Sequence, residues 1–336
     1  MNDRYSRQER FYGVGPAGQE RLRQARVAIV GMGALGTVSA SELARAGVGF
    51  LRLIDRDYVE LSNLQRQLLY DEHDAEAGTP KAAAACERLR QVNSEIVLEP
   101  VLEDLTAANV EALLQDVDLV LDATDNLEVR YLINEFCADR RIPWIYGGAL
   151  GAEGMTMNIL PDGPCLLCLS DGIEEDSGGR TCSTVGVIGA ATAIVASYQS
   201  AEAIKILTGS PKVRRTLIHF DLWQNRWVDE RIDKQPDCPV CALRQYRHLG
   251  TVSGVRTDPL CGRDSIQVAP ARPRQMDFAA LQEKLQSLGT VRVSAYCLDF
   301  DSPAASFKLF RVGRAIVRHV QSEGRAKSVY AEYLGF

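Results

Sequence analysis

At 336 residues the chain is long enough for two domains, or for one large domain with an appendage, and 46% hydrophobic and 24% charged residues suit a globular protein with a full core. A net charge of −6 without a long Lys/Arg run argues against a nucleic-acid surface, and no apolar stretch approaches the roughly 20 residues of a membrane span. The charged start Met1-Asn2-Asp3-Arg4 lacks the apolar centre of a secretion signal, and nine cysteines, four of them in CxxC pairs, suit a reducing compartment; the cytoplasm is the expected location.

In chain order, residues 17–25 predict an amphipathic helix feeding a first strand at 26–30. That strand runs into Gly31-Met32-Gly33-Ala34-Leu35-Gly36 and a helix over 34–46 that ends at Gly47. A second strand, 50–54, ends at Asp55. After the loop Ser62-Asn63-Leu64-Gln65-Arg66-Gln67 comes a helix over 80–92, with Pro80 in its first turn, where a missing N–H costs nothing. A strand at 95–101, a helix at 107–115 and a buried strand at 118–122 follow, then Thr124-Asp125-Asn126, a helix to about 140 and a strand at 143–146. The alternation predicts an α/β fold, a doubly wound, mostly parallel Rossmann-like sheet with ligands beyond the strand C-termini.

Past Gly147 the pattern changes to a mixed sheet. An extended segment spans 155–160, an acidic, glycine-rich loop spans 171–179, and a small-residue helix runs over 185–207, packed closely rather than crossing a membrane. Hairpin strands are expected over 216–229. A break near 250–259 opens a small α+β module with a strand at 265–268, a helix at 278–288, strands near 291–300 and 307–317, and a final helix. The division expected is a first, larger domain over 1–250 and this module over 251–336.

The chemistry starts at the glycine turn. Strand, tight turn and helix aim backbone N–H groups at phosphates, which makes Gly31, Gly33 and Gly36 a nucleotide cradle and Asp55 a ribose ligand. Such a fingerprint most often means NAD, but Arg66 and Lys81 place two cations at the phosphate end, which suits a triphosphate that must be neutralised as it reacts. Cys165-Leu166-Leu167-Cys168 and Cys238-Pro239-Val240-Cys241 supply four thiolates in two chelating hairpins, a closed tetrahedral Zn²⁺ site of structural type. Cys86, Cys137 and Cys297 read as small core residues. Cys182, beside Arg180 and ahead of a helix, has the setting of a thiol with a lowered pKa.

Together these motifs resemble the ThiF/MoeB/HesA family, the prokaryotic relatives of ubiquitin-activating enzymes. Its carriers are Arg4-Tyr5-Ser6-Arg7-Gln8, the glycine turn, Asp55-Arg56-Asp57, the 62–67 loop, Lys81, Thr124-Asp125-Asn126 with Arg130, and both CxxC pairs, over roughly residues 1–245. The resemblance implies an ATP- and Mg²⁺-dependent adenylyltransferase acting on the C-terminal glycine of a ubiquitin-like sulfur carrier ending in Gly-Gly. It implies that Asn63, Arg66 and Lys81 hold the triphosphate, that Asp125 holds Mg²⁺, and that Arg7 reaches the site of the other subunit of a homodimer. Gln67 and Asn126, inside the same motifs, join the expected nucleotide ligands. In relatives serving the thiazole pathway the cysteine matching Cys182 bonds to the carrier's sulfur, whereas molybdopterin-pathway relatives dispense with that step.

The C-terminal module resembles the extension of some bacterial thiazole-synthesis ThiF proteins. It lacks a rhodanese-type loop, so sulfur is expected from a separate donor, a cysteine desulfurase or a rhodanese. Two readings of other classes stay open: an NAD-dependent oxidoreductase, for which no His or Tyr acid/base stands in a suitable motif, and a non-catalytic scaffold for a ubiquitin-like protein. Within the family, a relative that modifies a short peptide or dehydrates a tRNA base is a further alternative.

Overall fold

In the computed structural model, residues 3–169, 185–250, 256–259, 264–270 and 274–335 are described. The chain divides into two units, Met1–Gly250 and Thr251–Phe336.

The first unit is built on an eight-stranded sheet of order β3-β2-β1-β4-β5-β6-β7-β8. Strands β1 (Arg26–Val30), β2 (Phe50–Ile54), β3 (Val97–Val101), β4 (Leu119–Asp122) and β5 (Trp144–Leu150) are parallel. Strands β6 (Glu153–Ile159), β7 (Leu217–Asp221) and β8 (Arg226–Glu230) continue the sheet antiparallel. Helices cover both faces of the parallel part, so its strands are apolar on both sides rather than alternating. Val27, Ile29, Leu51, Leu53, Leu119 and Leu121 pack on one face with helices α3 (Ala34–Ala46) and α5 (Lys81–Val92). Ala28, Val30, Ile54 and Val120 face the other way, toward Ile133 and Phe136 of α7 (Leu127–Arg140). The strand order reverses between β1 and β4, which opens a crevice at their C-terminal ends.

Helices α1 (Ser6–Glu9), α2 (Gly15–Gln24), α4 (Glu72–Ala77) and α6 (Val110–Leu114) also belong to this unit. The turn α8 (Leu166–Leu169) and the long α9 (Gly189–Leu207) follow. Ala191, Ala196 and Ala203 of α9 are buried, and its axis comes so close to α3 that the Ser39 hydroxyl lies 3.4 Å from the Ala196 carbonyl. Among the described residues no helix is long and apolar enough to cross a membrane.

Several boundaries differ from the sequence expectation. Helix α9 starts at Gly189, not 185, because Gly186 takes a φ of +82° and Val187 bridges to Gly151. Pro80 is the N-cap of α5, with an extended ψ of 133°, and pairs with Tyr58 instead of entering the first turn. Helix α4 was not expected; a capping box between Asp71 and Asp74 starts it and Gly78 at φ +59° ends it. Strand β5 runs on through Gly147 and Gly148 to Leu150, paired with β6.

The second unit carries an antiparallel sheet of order β11-β12-β13-β14-β10-β9. Its strands are β9 (Arg256–Pro259), β10 (Ser265–Ala269), β11 (Thr290–Val293), β12 (Cys297–Asp301), β13 (Ser306–Phe310) and β14 (Ala315–Arg318). Helices α10 (Phe278–Leu285) and α11 (Glu323–Leu334) cover one face, where Phe300, Phe307, Leu309 and Tyr330 are buried. The strands expected at 291–300 and 307–317 are each a hairpin of two, turned by Ser294, which bonds to Cys297, and by Gly313 at φ +85°.

Candidate functional site

The site assembles at the crevice. Gly31 has a φ of +94°, and a Cβ there would stand 2.5 Å from the Ala123 carbonyl, so the glycine turn rests directly on the β4–α7 loop. A Cβ on Gly36 would lie 1.9 Å from the Gly31 carbonyl, which is what lets α3 start immediately under the turn. Gly36→Ala is therefore expected to destabilise by about 1–3 kcal/mol, read as a lower midpoint in urea. Gly33 is different: among the described residues only the Gln67 amide, at 3.8 Å, comes near a Cβ built there.

Acidic and basic groups ring this turn. Asp55, at the end of β2, accepts the Met32 N–H at 2.6 Å and the Asp57 N–H at 2.6 Å, which fixes the carboxylate beside the glycine turn. Lys81, the first residue of α5, is buried and lies 3.3 Å from an Asp57 carboxylate oxygen. Burial works against its charge, but Asp57, Asp55 and Asp125 outweigh burial and hold the ammonium above its usual range. Burial in turn pushes the Asp55 carboxyl up, opposed by Lys81. The Tyr70 hydroxyl donates to Met32 O at 2.7 Å and lies 3.2 Å from Lys81 O, tying the turn to the start of α5.

The other rim comes from the β4–α7 loop. Asn126 caps α7, its side chain accepting from the N–H groups of Glu128 and Val129 at 2.9 and 3.3 Å. That leaves Asp125 exposed just ahead of the helix N-terminus, and its charge is felt by both Lys81 and Arg130. Arg130 is buried, pairs with buried Asp122 at 2.7 Å, and donates to the carbonyls of Thr124 at 2.5 Å and Gly147 at 3.2 Å. Arg66 donates to Ser62 O at 3.0 Å, and Asn63, buried, forms a capping box with Glu60. This loop packs against the start of α9, since a Cβ on Gly189 would meet Gln65 O at 3.2 Å.

Two features fit a nucleotide. Gln67 is buried with its Oε1 unpartnered among the described residues, and its amide borders Gly33, above which the described residues leave open space. Asp57, Asp122 and Tyr70 were not singled out in the sequence as site residues. Asp57 stands two positions after Asp55 and Asp122 closes a buried strand, but their partners, Lys81 and Arg130, are assigned only by the fold.

Arg7 stands apart. It is exposed on α1, and neighbouring Gln8 donates to Ala46 O at 2.8 Å, at the far end of α3 from the glycine turn. Cys182 lies outside the described residues, as does the 171–179 loop.

The four sulfurs of Cys165, Cys168, Cys238 and Cys241 all lie within 4.8 Å of one another, with Cys165–Cys238 and Cys168–Cys241 at 3.5 Å. A tetrahedral centre with Zn–S bonds of about 2.3 Å puts its sulfurs about 3.8 Å apart, so this set has the size and softness for Zn²⁺. Among themselves the thiols compete for protons. A hydrogen bond from Cys165 holds Cys168 down at about 5, while burial pushes Cys241 up to about 12. A dication at the centre would let all four ionise. Cys86, Cys137 and Cys297 are buried free thiols, as expected of core residues.

Residues 5–240 match the model of the ThiF family. The chain belongs to the ThiF family. It is 40% identical over 339 residues, covering all of both chains, to the sulfur carrier protein ThiS adenylyltransferase of Bacillus subtilis (strain 168). It is also 39% identical over 241 residues to the molybdopterin-synthase adenylyltransferase of Escherichia coli (strain K12), covering 71% of this chain and 95% of that relative. Among solved structures, E. coli MccB with ATP superposes with a TM-score of 0.63 at 24% identity, covering 71% of this chain and 75% of that one, which is a likeness of fold. The C-terminal unit of this ThiF-family chain is thus within the span matched by the Bacillus relative.

Proposed function

We propose that this chain adenylates the C-terminal glycine carboxylate of a ubiquitin-like sulfur carrier ending in Gly-Gly, using ATP and Mg²⁺, for thiocarboxylate formation in the thiamin thiazole, molybdopterin or a related pathway. The observation that carries the reading is the single rim on which Gly31, Gly33, Asp55, Gln67, Lys81 and Asp125 converge, in a chain alike over its full length to a ThiS adenylyltransferase. The nucleophile is the carrier's own carboxylate, ionised at pH 7 because such groups have pKa values near ~3.5. One of its oxygens bonds to the α-phosphorus as the bond to the β-phosphate bridge breaks, and pyrophosphate leaves with that electron pair. No protein base is needed. The chain has to align the two anions and offset their charge.

Asp55 takes the ribose hydroxyls on the lone pairs its two amide bonds leave free. Asn63, Arg66 and Lys81 hold the phosphates, with Gln67 and Asn126 bordering them. Asp125 would hold Mg²⁺, which when bound supplies charge neutralisation on the phosphates. Sulfur comes from a separate cysteine desulfurase or rhodanese-type donor, and the chain works as a homodimer in a cytoplasmic setting. Carrier-dependent ATP–pyrophosphate exchange tests the reading. Exchange only with a Gly-Gly carrier is expected; NAD binding without ATP binding retires it in favour of an oxidoreductase, and ATP binding without exchange in favour of a scaffold.

Zinc is proposed on the four-cysteine set, at one ion per chain. The site is coordinatively closed, so zinc has no direct part in the chemistry, and its removal is expected to lower thermal stability. Metal analysis checks this; protein free of zinc, with all four thiols readily alkylated, counts against it.

A further inference from the structure

Helix α7 carries the acidic rim of the nucleotide site at one end and, one to two turns on, the contacts that hold both thiolate hairpins. Residues 126, 130 and 134 recur at four-residue spacing and so lie along one face. Asn134 is fully buried, and its Oδ1 accepts the Leu166 N–H at 3.0 Å, between Cys165 and Cys168. Next to it Glu135, also buried, accepts three consecutive backbone N–H groups, Arg247 at 2.9 Å, His248 at 2.7 Å and Leu249 at 2.9 Å. These amides lie just after the Cys238–Cys241 hairpin, where the His248 ring also stacks on Tyr131 of α7 at 5.3 Å. A buried polar side chain of α7 therefore holds the first hairpin directly, and another holds the segment that begins six residues past the second.

We propose that Asn134 and Glu135 are positioning residues through which the metal centre sets the pose of the Asp125–Arg130 turn. Without the ion, no coordination through the four sulfurs ties the two hairpins to each other. If the 247–249 segment drifts, the Glu135 carboxylate is left buried without donors, a costly state that the helix relieves by shifting or fraying. Arg130 stands one turn away, about 6 Å along the axis, and its bonds to Asp122, Thr124 and Gly147 pass that shift to the Asp125 loop. The inference rests on the zinc reading for the ion and on the adenylation reading for the meaning of Asp125; a chain that takes up no Zn²⁺ overturns it.

Amide hydrogen exchange tests it, on the full chain loaded with Zn²⁺ and after stripping with EDTA. On stripping, peptides over 165–169 and 236–249 are expected to lose protection, and peptides over 123–130 to lose about tenfold, while those over 34–46 stay unchanged. In zinc-loaded Asn134→Leu and Glu135→Gln, the 123–130 peptides should already be loosened, and stripping should add little. Unchanged protection over 123–130 in the stripped wild type overturns the proposal, and so does an equal loss over 34–46, which means global unfolding. Equilibrium dialysis of ATP on the same samples speaks separately to the adenylation reading: wild type that shows the exchange pattern without binding ATP retires that reading and leaves the positioning role standing.

Discussion

Asp125→Ala is expected to lower carrier-dependent ATP–pyrophosphate exchange by at least about 10³-fold while leaving the thermal midpoint nearly unchanged. The fold tolerates the change because the residue is exposed and, among the described residues, its side chain makes no hydrogen bond to the loop. The loop's shape comes from elsewhere: Asn126 caps the helix, Asp122 accepts the Thr124 N–H at 3.0 Å, and Arg130 grips the Thr124 carbonyl. The activity does not tolerate it, because this carboxylate is the proposed Mg²⁺ ligand at the crevice, placed between the buried Lys81 and Arg130 cations whose fields it shares. A folded variant with near-normal exchange removes Asp125 from the chemistry. A variant that unfolds would show instead that the loop depends on this side chain, against its exposure.

Much of this site was legible because its signals are local. A buried strand ending in a glycine turn, or a CxxC pair, needs only a few adjacent residues, and the parallel strands follow from uninterrupted apolar runs. What stayed hidden depends on distant partners. Glu135 sits inside a helical pattern and reads as a solvated charge, yet the fold brings it three amides from more than 110 positions away. Asp122 looks like the polar end of a strand until Arg130 closes on it. The apolar pattern starts α9 too early because Val185 and Ile188 continue it, whereas the backbone is committed to a bridge with Gly151. The hairpins within 291–300 and 307–317 are not legible in the sequence for a related reason: their turns use a serine and one glycine, not an Asn-Gly pair.

Mixing an Arg7→Ala chain with an Asp125→Ala chain, each inactive alone, is expected to restore about a quarter of wild-type exchange if subunits reassort freely in a dimer. The distance within one chain motivates this. Helix α3 has 13 residues, about 18 Å of axis, with Gly33 at its start and the Gln8 anchor on Ala46 at its end. Arg7, in the short helix beside that anchor, is therefore on the wrong side of its own subunit to touch its own triphosphate. It is exposed there, next to Phe11 at 54% and Tyr12 at 95% accessibility, apolar surface of the kind a partner covers. In a mixed dimer one site keeps its own Asp125 and receives the intact Arg7 from the other chain, while the second site lacks both. Half of all dimers are mixed and half of their sites are complete, which sets the quarter. Arginine contacts in phosphoryl transfer are worth roughly 10³–10⁵ in rate, so recovery stands far above either parent. A verified mixed dimer with no recovery excludes action across the interface, and since α3 separates Arg7 from its own glycine turn, it removes Arg7 from the site altogether.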